Sequence, residues 1–343
     1  MMRLPLPWLF ALTGGALALL LVGSLATGPM ALSFGESLRA LFAGQESGIA
    51  VHKLLIVQEI RLPRTLLCIA VGGILGLCGA VMQGLFRNPL ADPGIIGVSG
   101  GAALGAALAI VLLAPLGQQW QSLLGIGLLP LLAFLGGALT TTLVYLLGTR
   151  EGGTSVTVML LAGVAITALS GAVIGLLTYL ADDQMLRNLS LWQMGTLAAG
   201  KPVDVALALA TLIVLLLLFM RDANPLNALL LGEGEARHLG VNVQSLKRRL
   251  ILLTAAGVGV AVAVAGMIGF VGLVVPHLVR LLAGPNHVRL LPLSALLGAA
   301  LLLGADMLAR TLLAPAELPV GIITALLGAP FFIWLLVKGR RTL

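Results

Sequence analysis

The side chains able to do chemistry are few and scattered. The 343-residue chain holds twenty Lys and Arg, thirteen Asp and Glu, four His and two Cys. No G-x-x-x-x-G-K-[ST] segment occurs to cradle a nucleotide's phosphates; Gly200-Lys201 is followed by Pro202. No H-E-x-x-H or Cys/His ligand spacing occurs either. His52, His238, His277 and His287 stand apart, and each reads as a hydrogen-bonded structural residue rather than a ligand for iron or haem. Cys68 and Cys78 sit ten residues apart in one apolar run, about 15 Å along a helix. That is beyond disulfide reach, so both read as small core residues.

Three segments carry what chemistry remains. The first is Gln58-Glu59-Ile60-Arg61-Leu62-Pro63-Arg64, where Pro63 suits the opening turn of a helix. Arg61 and Arg64, three apart, are expected to project from the outer face on nearly one side. Arg310 closes a later span at the same face, with Asp306 at the i,i+4 spacing that favours an ion pair. Two uses fit: a docking surface for a partner's carboxylates, which the guanidinium fork matches, or headgroup anchoring and a local pair with Asp306. The second segment runs from Phe86 to Gly101, with Asn88, Pro89, Leu90, Asp92 and Pro93 ending one helix before Gly97 opens the next. It reads as a reverse turn or as a gating constriction. The third, within a long inner loop at 221–249, is Leu231-Gly232-Glu233-Gly234-Glu235-Ala236-Arg237-His238-Leu239-Gly240. It has the pattern of a short amphipathic helix lying along the membrane surface, either presented to a cytosolic partner or simply interfacial.

The elements that position these segments are membrane spans. The chain is 59% hydrophobic and only 10% charged, with a mean hydropathy of +1.10, against about a quarter charged in a soluble domain. Apolar runs long enough to cross a hydrocarbon core place ten spans at about 8–27, 64–86, 95–114, 123–147, 156–180, 203–220, 250–266, 269–283, 290–309 and 320–337. The run at 250–283 divides at Gly266-Met267-Ile268-Gly269, because a single helix of that length would far exceed a core of about 30 Å. With that division and an inner N-terminus, the basic residues outside are Arg39, Lys53, Arg61, Arg64, Arg187, Lys201 and Arg310, and the other thirteen lie inside. Without it the balance reverses. The positive-inside rule therefore favours ten spans with both termini cytoplasmic. It also assigns the net charge of +7 to inner loops rather than to nucleic-acid binding.

The stretch from Trp8 to Ala26 reads as a retained first span, not a leader. Glycine or alanine recurs every fourth residue at Gly72, Gly76, Ala80 and Gly84, and glycine at Gly97, Gly101 and Gly105. Such stripes let backbones approach closely, either to pack one subunit or to line a path. No connection is long enough to bury a core of its own, so residues 1–343 form a single transmembrane domain. Ionisable groups within spans are scarce, whereas ion-coupled carriers need them. If transport is active, the energy comes from another chain; an ion-coupled secondary transporter or a channel is the competing class.

Four motifs carry a resemblance. Arg61-Leu62-Pro63-Arg64, Asn88 to Gly94, Gly269 to His277, and Glu317 to Gly321 with Gly328-Ala329-Pro330 closely resemble the FecCD-type permeases. These are the membrane subunits of bacterial ABC importers for haem, ferric siderophores and cobalamin. The resemblance spans essentially the whole chain. It implies an all-α, ten-helix type II importer fold in the inner membrane and a homodimer with the pathway on its axis. It also implies two cytosolic ATPase subunits that hold Mg-ATP, and a periplasmic substrate-binding protein. No cofactor is implied on this chain.

By the same resemblance, Arg61, Arg64 and Arg310 grip glutamates of the binding protein. Glu233, Glu235, Ala236, Arg237, Leu239 and Gly240 belong to the region coupling the permease to the ATPase. Asn88 and Leu90 form part of a cytoplasmic gate. Val156 and Thr157 stand where a cobalamin permease has a hydroxyl pair, so no gate role carries over to them. The stretches Leu231 to Val241 and Ala314 to Pro319 look most like the haem permeases, with siderophore and cobalamin as the alternatives.

Overall fold

A computed structural model describes residues 5–30, 32–42, 50–113, 127–150, 153–198 and 200–339. In chain order its helices are α1 (Leu6–Ala26), α2 (Phe34–Phe42), α3 (Val51–Leu55), α4 (Leu62–Leu85), α5 (Val98–Val111), α6 (Leu128–Gly148), α7 (Val156–Leu180) and α8 (Asp183–Gln193). There follow α9 (Pro202–Arg221), α10 (Ala223–Leu231), α11 (Glu233–His238), α12 (Val243–Ala265), α13 (Val271–Ala283), α14 (His287–Thr311) and α15 (Val320–Gly339). A two-stranded antiparallel hairpin, β1 (Thr149–Arg150) with β2 (Gly153–Thr154), joins α6 to α7. Seven of the helical runs are long and apolar enough to cross a membrane, and α5, α13 and the apolar part of α15 are shorter apolar helices. Together they occupy the ten expected segments. The expected ends near 114 and 123 lie outside the described residues.

The division at 266–270 is present. Gly266 (φ +70°) and Phe270 (φ +67°) take left-handed backbone there, which stops α12 and starts α13 in a new direction. α13 then packs on α4, α14 and α15 rather than back along α12. Before α4, residues 56–61 form a π-helical stretch that makes Val51–Leu85 one continuous helical run. Pro63 cannot donate to the turn before it, and the widened turn, with the Leu62 N–H reaching the Val57 carbonyl, carries the chain past that gap.

α4 is the axis of the bundle, enclosed by α14, α9, α13 and α12. Its small residues explain how. A methyl group added at Gly72 or Gly76 would strike the backbone of α14 at Gly298 or Ser294, and one at Gly79 would strike the Gly272 carbonyl of α13. The second stripe behaves alike: Gly101 and Gly105 of α5 press on the α6 backbone at Gly136 and Leu132. Both stripes therefore serve close packing within this chain. By contrast α1 and α7 leave most of their apolar surface uncovered.

One expectation needs correction. The segment 221–249 is not a long loop: α10 and α11 fill most of it, and α12 begins at Val243, so Lys247, Arg248 and Arg249 lie within a helix. Lys247 is buried there. The connections also hold α2 and α8, helices too short to cross a membrane.

Candidate functional site

At one end of the bundle, the end expected to face outward, Arg61, Arg64 and Arg310 converge, but they do not project. All three are buried, at 4%, 6% and 2% exposure. The physical reason is that each guanidinium has partners inside the chain that replace its water. Arg64, from the first turn of α4, reaches the buried carboxylate of Asp306 on α14 through Nε (3.0 Å) and Nη2 (2.9 Å), and Glu317 through Nη1 (2.7 Å). Arg310 returns one turn along α14 to the same carboxylate, Nε to Oδ2, at 3.0 Å. The local pair foreseen from the i,i+4 spacing is thus made, with Arg64 added to it.

Among the described residues, Arg61 binds no carboxylate. Its Nη1 donates to the carbonyls of Leu25 (2.7 Å) and Ala26 (2.9 Å), and its Nη2 to that of Met30. Arg310 takes the neighbouring acceptors: the Ser24 hydroxyl at 2.7 Å, and the carbonyls of Ser24 and Thr27. These are the last carbonyls of α1 and the turn after it, which a helix leaves unpaired and partially negative. α1 has no basic residue in its own last turn; two arginines from elsewhere in the chain cap it. Ser24 also bonds Thr65 of α4 at 2.7 Å. The cluster therefore ties α1, α4, α14 and the segment before α15 together, and Glu317, at about one-third exposure, is its acidic edge toward solvent.

At the opposite end, α11 stands out from the bundle on two glycines with positive φ, Gly232 (+125°) and Gly240 (+82°). Ala236 is fully buried and anchors the helix. Glu233 turns inward to Lys247, at 2.7 Å, and Lys247 also donates to the Thr154 carbonyl at 3.0 Å. Glu235, Arg237, His238, Leu239 and Gly240 are exposed, with Leu239 at 64%. Behind this ridge Arg249 is bidentate to buried Asp222, at the junction of α9 and α10. Of the six residues expected in the coupling region, Glu233 and Ala236 hold the ridge in place and the other four form its free face.

The turn after α4 carries Asn88 and Leu90. The Asn88 side chain accepts from the Leu90 N–H at 2.9 Å, and Asn88 N–H bonds the Gln83 carbonyl at 3.1 Å, a compact side-chain-closed turn. Asn88 is exposed and Leu90 half-buried. Asp92 accepts from the Gly94 N–H at 2.7 Å, and burial pushes its carboxyl above the ordinary value against that hydrogen bond. Among the histidines, His287 is buried and bonds Asn227, a structural role.

Sequence reasoning missed the Arg64–Asp306 and Arg64–Glu317 pairs, which join residues 242 and 253 positions apart. The scarcity of acids in spans was the available signal, since a buried Asp306 needs cationic partners. The burial of Lys247 was not legible either: besides nearby Glu233 it bonds the Thr154 carbonyl, 93 residues away.

A bundle of ten apolar helical segments, with an arginine cluster bracing one end and a ridge at the other, defines a multi-span membrane protein. The chain belongs to the FecCD transport family, whose profile matches residues 16–338. It is 47% identical over 328 residues, 95% of this chain and 94% of the relative, to the hemin transport system permease protein HmuU of Yersinia pestis. It is 42% identical over 338 residues, 97% of this chain and 94% of the relative, to the vitamin B12 import system permease protein BtuC of Klebsiella pneumoniae. Among solved structures, an inward-facing metal-chelate type ABC transporter superposes with a TM-score of 0.83 at 33% identity, covering 97% of this chain and 99% of that one. The chain is thus an ABC importer permease, the transport component of an assembly that includes ATPase and binding-protein partners.

Proposed function

We propose that this permease carries haem across a bacterial inner membrane, as a homodimer whose pathway opens alternately to either side. The observation that carries the cargo assignment is the similarity to a hemin permease, at 47% identity over 95% of this chain, against 42–45% for the cobalamin and vitamin B12 permeases. Two cytosolic ATPases supply the energy: ATP-driven closure of that pair moves the α11 ridge, with Glu235, Arg237, Leu239 and Gly240 at the contact. Glu233 and Ala236 pass the motion to α12 and the bundle. The turn holding Asn88 and Leu90 acts at the inner gate. The outer face receives the binding protein, with Arg61, Arg64 and Arg310 holding the α1 terminus and the Glu317 segment in the shape that docks.

The buried acid argues against an ion-coupled carrier. Asp306 is committed to two arginines and is not free to bind and release a proton or sodium ion. The test is uptake into proteoliposomes holding the permease and its ATPases, with the cognate binding protein loaded with haem or with cobalamin. ATP-dependent haem uptake is expected. Uptake by the permease alone under an ion gradient refutes the mechanism, and retention of cobalamin instead of haem by the binding protein refutes the cargo.

A further inference from the structure

We propose that the cleft between the end of α6, the β1–β2 hairpin and the first turns of α12 binds the headgroup of an anionic phospholipid. The cleft has a volume of about 740 Å³ and is lined by Tyr145 and Arg150 and by Gln244, Arg248, Leu252 and Leu253 of α12. It lies at the end of the bundle that the charge distribution assigns to the cytoplasm, and the proposal rests on that sidedness. It is independent of the cargo.

Charge accounting singles out two of the basic residues here. Lys247 is taken by Glu233 and the Thr154 carbonyl, and Arg249 by Asp222. Arg150 and Arg248 are exposed and meet no carboxylate among the described residues; Glu151 and Gly152 lie outside those residues. The wall holding Arg150 is fixed: the Thr154 N–H donates to Gln244 Oε1 at 3.0 Å, and Thr154 pairs with Thr149 across the hairpin. Among the described residues, two guanidiniums thus line one space without a carboxylate partner, an arrangement suited to phosphate oxygens.

Depth favours a lipid over a soluble partner. Ser245, Arg248 and Leu252 share a stripe along α12, and Leu252 is 45% exposed. It lies one turn, about 6 Å, further into the bilayer than Arg248. A phosphate held by Arg150 and Arg248 leaves its glycerol and first acyl carbons over Leu252 and Leu253. A protein docking from water would cover the arginines but leave Leu252 bare. The inner leaflet is also where anionic lipids gather around basic pockets between spans.

The experiment uses full-length permease in detergent micelles, titrated with phosphatidylglycerol or phosphatidylcholine and read by native mass spectrometry. Binding in micelles reports on the cleft whichever way the chain faces in a membrane. The wild type is expected to prefer phosphatidylglycerol. R150Q should weaken that binding about fivefold, and R150Q with R248Q about 25-fold. R237Q, which removes an arginine from the α11 ridge, should leave it unchanged. The paired R150K and R248K variant keeps both charges and should retain most of the preference, so a misfolded glutamine variant cannot by itself decide the outcome. Three results overturn the proposal: equal binding of the two lipids by wild type, undiminished phosphatidylglycerol binding by the double glutamine variant, or loss of ATPase association from that variant with lipid binding intact. The last would make the cleft a protein interface.

Discussion

Replacing Asp306 by asparagine probes the outer cluster at its centre. The carboxylate is fully buried and accepts from Arg64 at 2.9 and 3.0 Å and from Arg310 at 3.0 Å. Asparagine keeps the shape but removes the charge, and it turns an amide donor toward guanidinium donors. At an effective dielectric of about 20, each charge pair at about 4 Å is worth ~4 kcal/mol. Relief from burying the carboxylate offsets much of that gain. Breaking such a pair from one side leaves a net loss of about 3–5 kcal/mol.

The chain's own thiols provide the assay. Cys68 and Cys78 are its two cysteines, both buried and both on α4, so a thiol-reactive fluorophore stays dark until the α4 core opens. At about 2 °C per kcal/mol, D306N should lower the melting temperature by roughly 6–10 °C. Arg64→Met removes the principal partner. The double variant D306N with R64M should therefore be less damaged than the sum of the singles, by about 1–3 kcal/mol. A D306N melting point within about 1 °C of wild type, or strict additivity in the double variant, would show that the buried network does not hold the outer face together.

Other outcomes follow from the packing and the charges. Gly79→Ala drives a methyl into the Gly272 carbonyl and should destabilise by about 1–3 kcal/mol, whereas Gly304→Ala, also helical but with open space around it, should be neutral or gain up to ~1 kcal/mol; thiol-dye melting compares them. Leu239→Glu on the exposed ridge should weaken co-purification of the ATPase subunits at least tenfold while leaving the melting temperature unchanged. Glu36 is held at about 2, first by the Lys53 ammonium and then by the Ser33 N–H and hydroxyl. Its folded value lies below the ordinary 4.5, so its contribution to stability is complete above about pH 4.5 and is lost as pH falls through about 2. Carbon-13 carboxyl NMR should show that midpoint, and K53M should move it upward.

The spans were readable because lipid enforces a simple rule on sequence: apolar runs of sufficient length, broken where the backbone turns. Gly266 and Gly269 marked the division before α13, and the i,i+4 spacing announced the Asp306–Arg310 pair. Direction was harder to read. Arg61 and Arg64 looked like exposed grips because a short segment shows which face a side chain is on but not what lies opposite. Their partners are supplied from positions 25, 26, 306 and 317, and no local spacing encodes such distances. The coupling segment 221–249 looked like a loop because its helices are short and polar on their free side. The charge of Lys247 gave no hint of the buried site that receives it.

The cap on α1 has a consequence for the order in which the protein is made. The final carbonyls of the first span are completed by an arginine just ahead of the second and by another at the end of the ninth, 286 residues later in the case of Ser24. During synthesis the first helix reaches its end long before Arg310 exists. Its outer terminus must wait, satisfied by water or headgroups, until most of the chain has been inserted. The arginine cluster thus acts as a closing clasp for assembly: a segment made well before α14 is among the last to be secured, and a chain interrupted before α14 lacks Arg310.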